Sequence, residues 1–143
     1  MRYKVLDTNV CLKCNVKSDF IVHKLWSCTA IQHFIRTILN GASEWTSREN
    51  NISMVDYLFG IDDFNCEGLN HFLLEAKIFI FYSYMENEST EINVTHFYAH
   101  IKKLIIKEKT IALKSSKYDQ FAEKWAPFIE IYNFHGPDAF GFL

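Results

Sequence analysis

Apolar residues recur at intervals of three and four along most of the chain, and polar stretches separate the runs they form. Ile31, Phe34, Ile35, Ile38 and Leu39 share one face of a predicted helix. It opens at Ser27 or Thr29, whose hydroxyls can accept from unpaired N–H groups, and stops at Asn40-Gly41. Residues 41–53 are polar and predict a loop, and residues 54–60 form a short apolar piece, either strand-like or a tucked-in turn. Asn65 then opens the longest predicted helix, which carries Leu69, Phe72, Leu73, Ala76, Phe79, Ile80 and Tyr84 and ends over 86–89. Thr95 is expected to cap the next helix, with Phe97, Ile101, Leu104 and Ile105 as its stripe. Ser116-Lys117-Tyr118-Asp119 resembles a capping box before a last helix that bears Phe121, Ala122 and Trp125 and breaks near Pro127. The Gly/Pro-punctuated residues 134–143 read as a loose tail.

The pattern therefore predicts an all-α protein: an N-terminal module over 1–40, then a helical region over 41–143, with about four helices following the Cys/His segment. Composition supports a packed core, since 49% of the 143 residues are hydrophobic and 13 are Phe. Net charge is only −2, but six of the fifteen basic residues lie within 102–117, where Glu108 is the only acid. The most apolar stretch, 69–85, is interrupted by Asn70, His71, Glu75 and Lys77, so no membrane partner is expected. Residues 1–7 lack the apolar run of a secretory leader. An intracellular location, nucleus or cytoplasm, is expected, with the sequons at Asn51, Asn87 and Asn93 idle.

Candidate chemistry concentrates near the N-terminus, as Cys11-x2-Cys14-x8-His23-x4-Cys28. A Cys-x2-Cys turn places two sulfurs on one ion, and a His and a third Cys complete the tetrahedron that zinc prefers. The expectation is a CCHC zinc knuckle holding one structural Zn2+, with Cys11, Cys14, His23 and Cys28 as metal ligands. His33 is an alternative nitrogen ligand, and a thioredoxin-like redox pair is the other reading of Cys11 and Cys14, though no βαβ pattern surrounds them. Phe20, Val22, Leu25 and Trp26 are expected to shelter the site, and Cys66 stands apart. Signatures of catalysis are missing: there is no Gly-x-Ser-x-Gly, no phosphate-binding glycine loop, and no Glu beside His96 and His100.

Asn9 to Cys14, Asp19 to Cys28 and the following Gln32-His33-Phe34-Ile35 resemble the zinc-binding region at the C-terminal end of reverse transcriptases of LINE-type (non-LTR) retrotransposons. Weaker likeness continues in Tyr57-Leu58-Phe59-Gly60-Ile61, in Asn70 to Lys77, in Phe97 to Ile101 and in Phe121 to Trp125. The resemblance implies a non-catalytic piece of such an enzyme that helps to hold template RNA or target DNA, and the missing polymerase body becomes a second possible partner. No small-molecule substrate is expected. The polymerase's Ala-Asp-Asp turn is absent, and Asp62-Asp63 reads as a solvated turn. Lys102, Lys103, Lys107 and Lys109, with Lys13 and Lys24 of the zinc loop, suit either a solvated helix face or phosphate contact, and the resemblance favours nucleic acid. The alternatives are a protein-interaction module acting through Phe79, Phe81 and Tyr82, or a remnant without function.

Overall fold

The computed structural model describes residues 11, 13–14, 21–46, 52–62, 66–85 and 92–135. All regular structure among them is helical: α1 (Gln32–Thr46), α2 (Met54–Phe59), α3 (Glu67–Met85), α4 (Val94–Lys114) and α5 (Tyr118–His135). A π-helical turn over His23–Ser27 and a 3-10 turn over Thr29–Ile31 lead into α1. The all-α class with an N-terminal Cys/His cluster is thus what the chain adopts, the short α2 joining the four longer helices among the described residues.

Several boundaries differ from the sequence expectation. Helix α1 runs past Asn40-Gly41, because the fully buried Ala42 extends the stripe of Ile31, Phe34, Ile35 and Ile38 and the backbone stays helical to occupy it. Residues 54–59, expected as a strand or turn, form a helix with its own capping box. The Asp56 N–H donates to Ser53 Oγ at 3.1 Å, and the Ser53 N–H donates back to the Asp56 carboxylate at 3.5 Å. This helix ends where Gly60 takes φ 98°, a left-handed conformation that a side chain would strain. Asn65 lies outside the described residues, and α4, with 21 residues, is longer than α3, with 19.

Helix α4 is capped by Asn93, not Thr95: Asn93 is extended and its Oδ1 accepts from the His96 N–H at 3.1 Å. No capping box forms at Ser116, which sits at φ 60° in the turn, one residue too early to cap α5. Helix α5 continues through Pro127. An interior proline costs about 3 kcal/mol. Trp125 and Phe128, both at 0% exposure on either side of it, each contribute about 1.5–3 kcal/mol by burial, which is enough to hold the helix together. The tail over 136–143 lies outside the described residues.

One continuous core runs from Cys11 and Cys28 through Phe128. Its centre is aromatic: Phe97 of α4 meets Phe34 of α1 at 5.3 Å and Phe72 and Phe79 of α3 at 5.4 Å, between ring centroids, in edge-to-face geometry. Phe72 passes the chain of rings to Phe128 of α5 at 5.5 Å. A polar junction closes the other side of the bundle. Glu108 of α4 accepts from Lys124 Nζ at 3.1 Å and from Trp125 Nε1 at 3.0 Å, while Lys124 also donates to His71 Nδ1 at 2.9 Å. Glu75 of α3 joins it, 2.7 Å from His100 Nε2. Among the described residues, no helix is long and apolar enough to cross a membrane.

Candidate metal centre

Two short turns deliver the four candidate ligands. Cys11 and Cys14 come from the first, and the π-helical turn carries His23 and returns the chain at Cys28, whose N–H donates to the His23 carbonyl at 2.7 Å. Cys28 is extended (φ −61°, ψ 128°), which turns the backbone sharply toward α1. Gln32 fixes that corner, since its Nε2 donates to the Trp26 carbonyl at 2.7 Å and to the Cys28 carbonyl at 3.0 Å. Trp26 meets Tyr57 of α2 at 5.2 Å between centroids, so the turns are clamped between α1, α2 and α3.

The ligand atoms of Cys11, Cys14, His23 and Cys28 all lie within 4.8 Å of one another. Cys11 Sγ and Cys28 Sγ are 3.7 Å apart, and Cys14 Sγ and His23 Nε2 are 3.3 Å apart. Metal–sulfur bonds of about 2.3 Å and metal–nitrogen bonds of about 2.0 Å in a tetrahedron put sulfurs about 3.8 Å apart and sulfur and nitrogen about 3.5 Å apart. The Cys11–Cys28 and Cys14–His23 pairs therefore match a tetrahedral set, and the 4.8 Å bound on the remaining pairs leaves at most about 1 Å of closure around one ion. Cys11 and Cys28 are fully buried, and Cys14 and His23 are half-buried. His33, the alternative nitrogen, is exposed on α1 and outside the cluster.

Burial pushes both inner thiols up, but their surroundings divide them. The backbone N–H groups of Cys14 and Lys13, together with His23, pull Cys11 below the usual thiol range. Cys28, beside the other two sulfurs, stays above it.

Leu25 and Trp26 pack against the core as expected, whereas Val22 is exposed and Phe20 lies outside the described residues. Sequence reasoning missed Gln32 as the corner brace and Tyr84 as a neighbour of Cys11, with 4.0 Å between Oη and Sγ. Tyr84 fits the apolar stripe of α3 so well that nothing in the pattern marks it as a metal-site residue.

The six candidate nucleic-acid lysines fall into two groups. Lys13 and Lys24 sit at the metal centre, their Nζ atoms 5.2 and 5.8 Å from the centroid of the Tyr84 ring. Lys103 and Lys107 are exposed and Lys102 and Lys109 half-buried on α4. With the exposed Lys114, Lys103 and Lys107 share one side of the helix, opposite the buried Phe97, Ile101, Ile105 and Ala112. His96 and His100 form no metal pair, because His100 turns to Glu75. Phe79 is not part of a free surface: it packs on Phe34 and Phe97, while Phe81 and Tyr82 are exposed. A concavity of about 410 Å³, bordered by Glu67, Glu108, Phe121 and Lys124, lies apart from the Cys/His cluster. Comparison of the chain with protein-family models, with curated proteins and with solved structures gives no match.

Proposed function

We propose that this chain is a zinc-organised helical domain that binds single-stranded nucleic acid, RNA foremost, and carries no catalytic site of its own. The closed Cys3His set supports zinc in a structural role, since all four positions of the tetrahedron are filled by protein and none is left for a reacting water. The observation that carries nucleic-acid binding is the lysine row of α4: Lys103, Lys107 and Lys114 line the face opposite the core. Phosphate contact is an economical use of such a row, because each neutralised phosphate releases a condensed counterion. The likeness of the Cys/His segment to the C-terminal region of LINE-type reverse transcriptases points the same way, with template RNA or target DNA as ligand.

The test has two parts. Native mass spectrometry of the purified chain is expected to show one zinc, lost in Cys28→Ser. Fluorescence anisotropy with a single-stranded RNA is then expected to show affinity that falls steeply with salt. Replacing Lys103, Lys107 and Lys114 together by Ala should reduce the log–log salt slope by about 2, from about 0.7 per phosphate contact on a single strand. An unchanged slope in the triple variant would remove the lysine row from the ligand site.

A specific surface favours a second reading, a docking module for another protein such as a polymerase body. Besides its buried stripe, α3 exposes Leu74, Ile78, Phe81, Tyr82 and Met85, at spacings of three and four. Binding through this face would tolerate salt, and Phe81→Glu would abolish it.

A further inference from the structure

We propose that the Tyr84 hydroxyl donates a hydrogen bond to the Cys11 sulfur when that sulfur ligates the ion, and thereby sets how firmly the centre retains its metal. The inference rests on the zinc reading above and extends it to a residue 56 positions beyond the last ligand in sequence.

Three observations carry it. Tyr84 is buried at 6% exposure near the end of α3, where its Oη faces the paired sulfurs of Cys11, at 4.0 Å, and Cys28, itself 3.7 Å from Cys11. As a thiol, Cys11 donates to that oxygen; as a thiolate it has no proton to give, and the phenol must become the donor. Second, Cys11 is fully buried, so water is not available to solvate its thiolate. Third, three thiolates and a neutral imidazole around a divalent ion leave one negative charge in a largely buried place. Lys13 and Lys24 answer that charge from over the ring of the same tyrosine, at 5.2 and 5.8 Å from its centroid. Tyr84 thus touches the ligand by its hydroxyl and the compensating cations by its ring. Partners of this kind typically change metal affinity 10–100-fold when removed.

Tyr84→Phe separates the two contributions, because it keeps the ring, its burial and its contact with both lysines and deletes only the donor. The full-length chain would be loaded with zinc, and the rate of transfer to a competing chelator measured. A cobalt(II)-loaded sample would give the sulfur-to-metal charge-transfer band. The expected result is release at least about 10-fold faster, with a shifted cobalt band and unchanged helical content. Tyr82→Phe, which removes an exposed phenol two positions earlier, should match the parent in all three readouts. Parent chain that holds zinc, with Tyr84→Phe equal to it in both release rate and cobalt band, would overturn this inference and leave the metal reading intact. Parent chain that takes up no zinc would overturn both. Should Tyr84→Phe not fold, fluorotyrosine placed at position 84 reads the same bond: a stronger donor slows release, and an unaltered rate overturns the proposal.

Discussion

The Lys77 ammonium donates to the Tyr57 carbonyl at 2.6 Å, and the same Nζ reaches the Leu58 carbonyl at 3.1 Å. A side chain of α3 thereby satisfies the last carbonyls of α2, a helix of six residues too short to stand on its own hydrogen bonds. Asn70 of α3 holds the chain just past the Gly60 turn, accepting from the Ile61 N–H at 2.8 Å and donating to the Ile61 carbonyl at 3.0 Å. Because burial lowers the Lys77 pKa, the ammonium is held at some cost in hydration, which its two carbonyls offset. Lys77→Met keeps the aliphatic stem and leaves both carbonyls without that donor. It should cost about 1–2 kcal/mol in urea denaturation, the range for charged hydrogen bonds discounted for partial exposure. A loss below the error of the measurement would mean that water replaces the lysine freely.

Tyr57 carries the opposite prediction. Its ring is packed by Trp26 and by Lys77, yet its hydroxyl is buried and has no hydrogen-bond partner among the described residues. Tyr57→Phe should therefore be neutral or stabilising, by up to about 1 kcal/mol, since it deletes an unsatisfied polar group and leaves the ring. A clear loss of stability would reveal a partner for the hydroxyl.

Phe97 joins α1, α3 and α4 at the middle of the aromatic core, with no exposed surface. Phe97→Ala should cost about 3–5 kcal/mol, at the upper end for core truncations, because rings on three sides have no room to collapse inward. Thermal unfolding by circular dichroism is the direct measurement.

His71 predicts an acid-sensitive stability. Burial, and then the Lys124 charge, hold its pKa below the ordinary histidine value, against the pull of Glu108, Glu75 and Glu67. The folded state therefore binds its proton later than the unfolded chain does. The contribution is fully present above the ordinary value of about 6.5 and is lost as pH falls through the lower folded value. Protonation also removes the Nδ1 lone pair that accepts from Lys124. His71→Gln should flatten the fall in urea midpoint between about pH 7 and 5, and an identical fall in the variant would assign it to other groups.

Metal removal should reach beyond the Cys/His turns. Cys11 and Cys28 share one core with Ile31, Phe34 and Ile38, so loosening them uncovers the start of α1. A chelator is expected to lower the melting temperature of the whole helical body in a single transition. Melting of the helices at an unchanged temperature would show the turns to be energetically separate.

The sequence by itself determined the helical class, most of the core and the four candidate ligands. Periodicity marks a buried face wherever one face of a helix is apolar, as in Phe97, Ile101 and Ile105, and the Cys/His spacing is a local property of two turns. It misplaced the features that depend on competition between local preference and distant contacts. Asn40-Gly41 is a good stop signal, overruled by burial of Ala42; Pro127 is a good breaker, overruled by Trp125 and Phe128. The capping box Ser53-x-x-Asp56 stands in the sequence, but six residues of helix are too few to hold without Lys77 and Asn70, which complete the turn from α3. Only the tertiary structure could decide that Tyr84, one member of an apolar stripe, faces Cys11, or that Gln32 braces the corner at Cys28. Those choices follow from how helices dock, since side chains far apart in sequence acquire a chemical relationship only when burial brings them together.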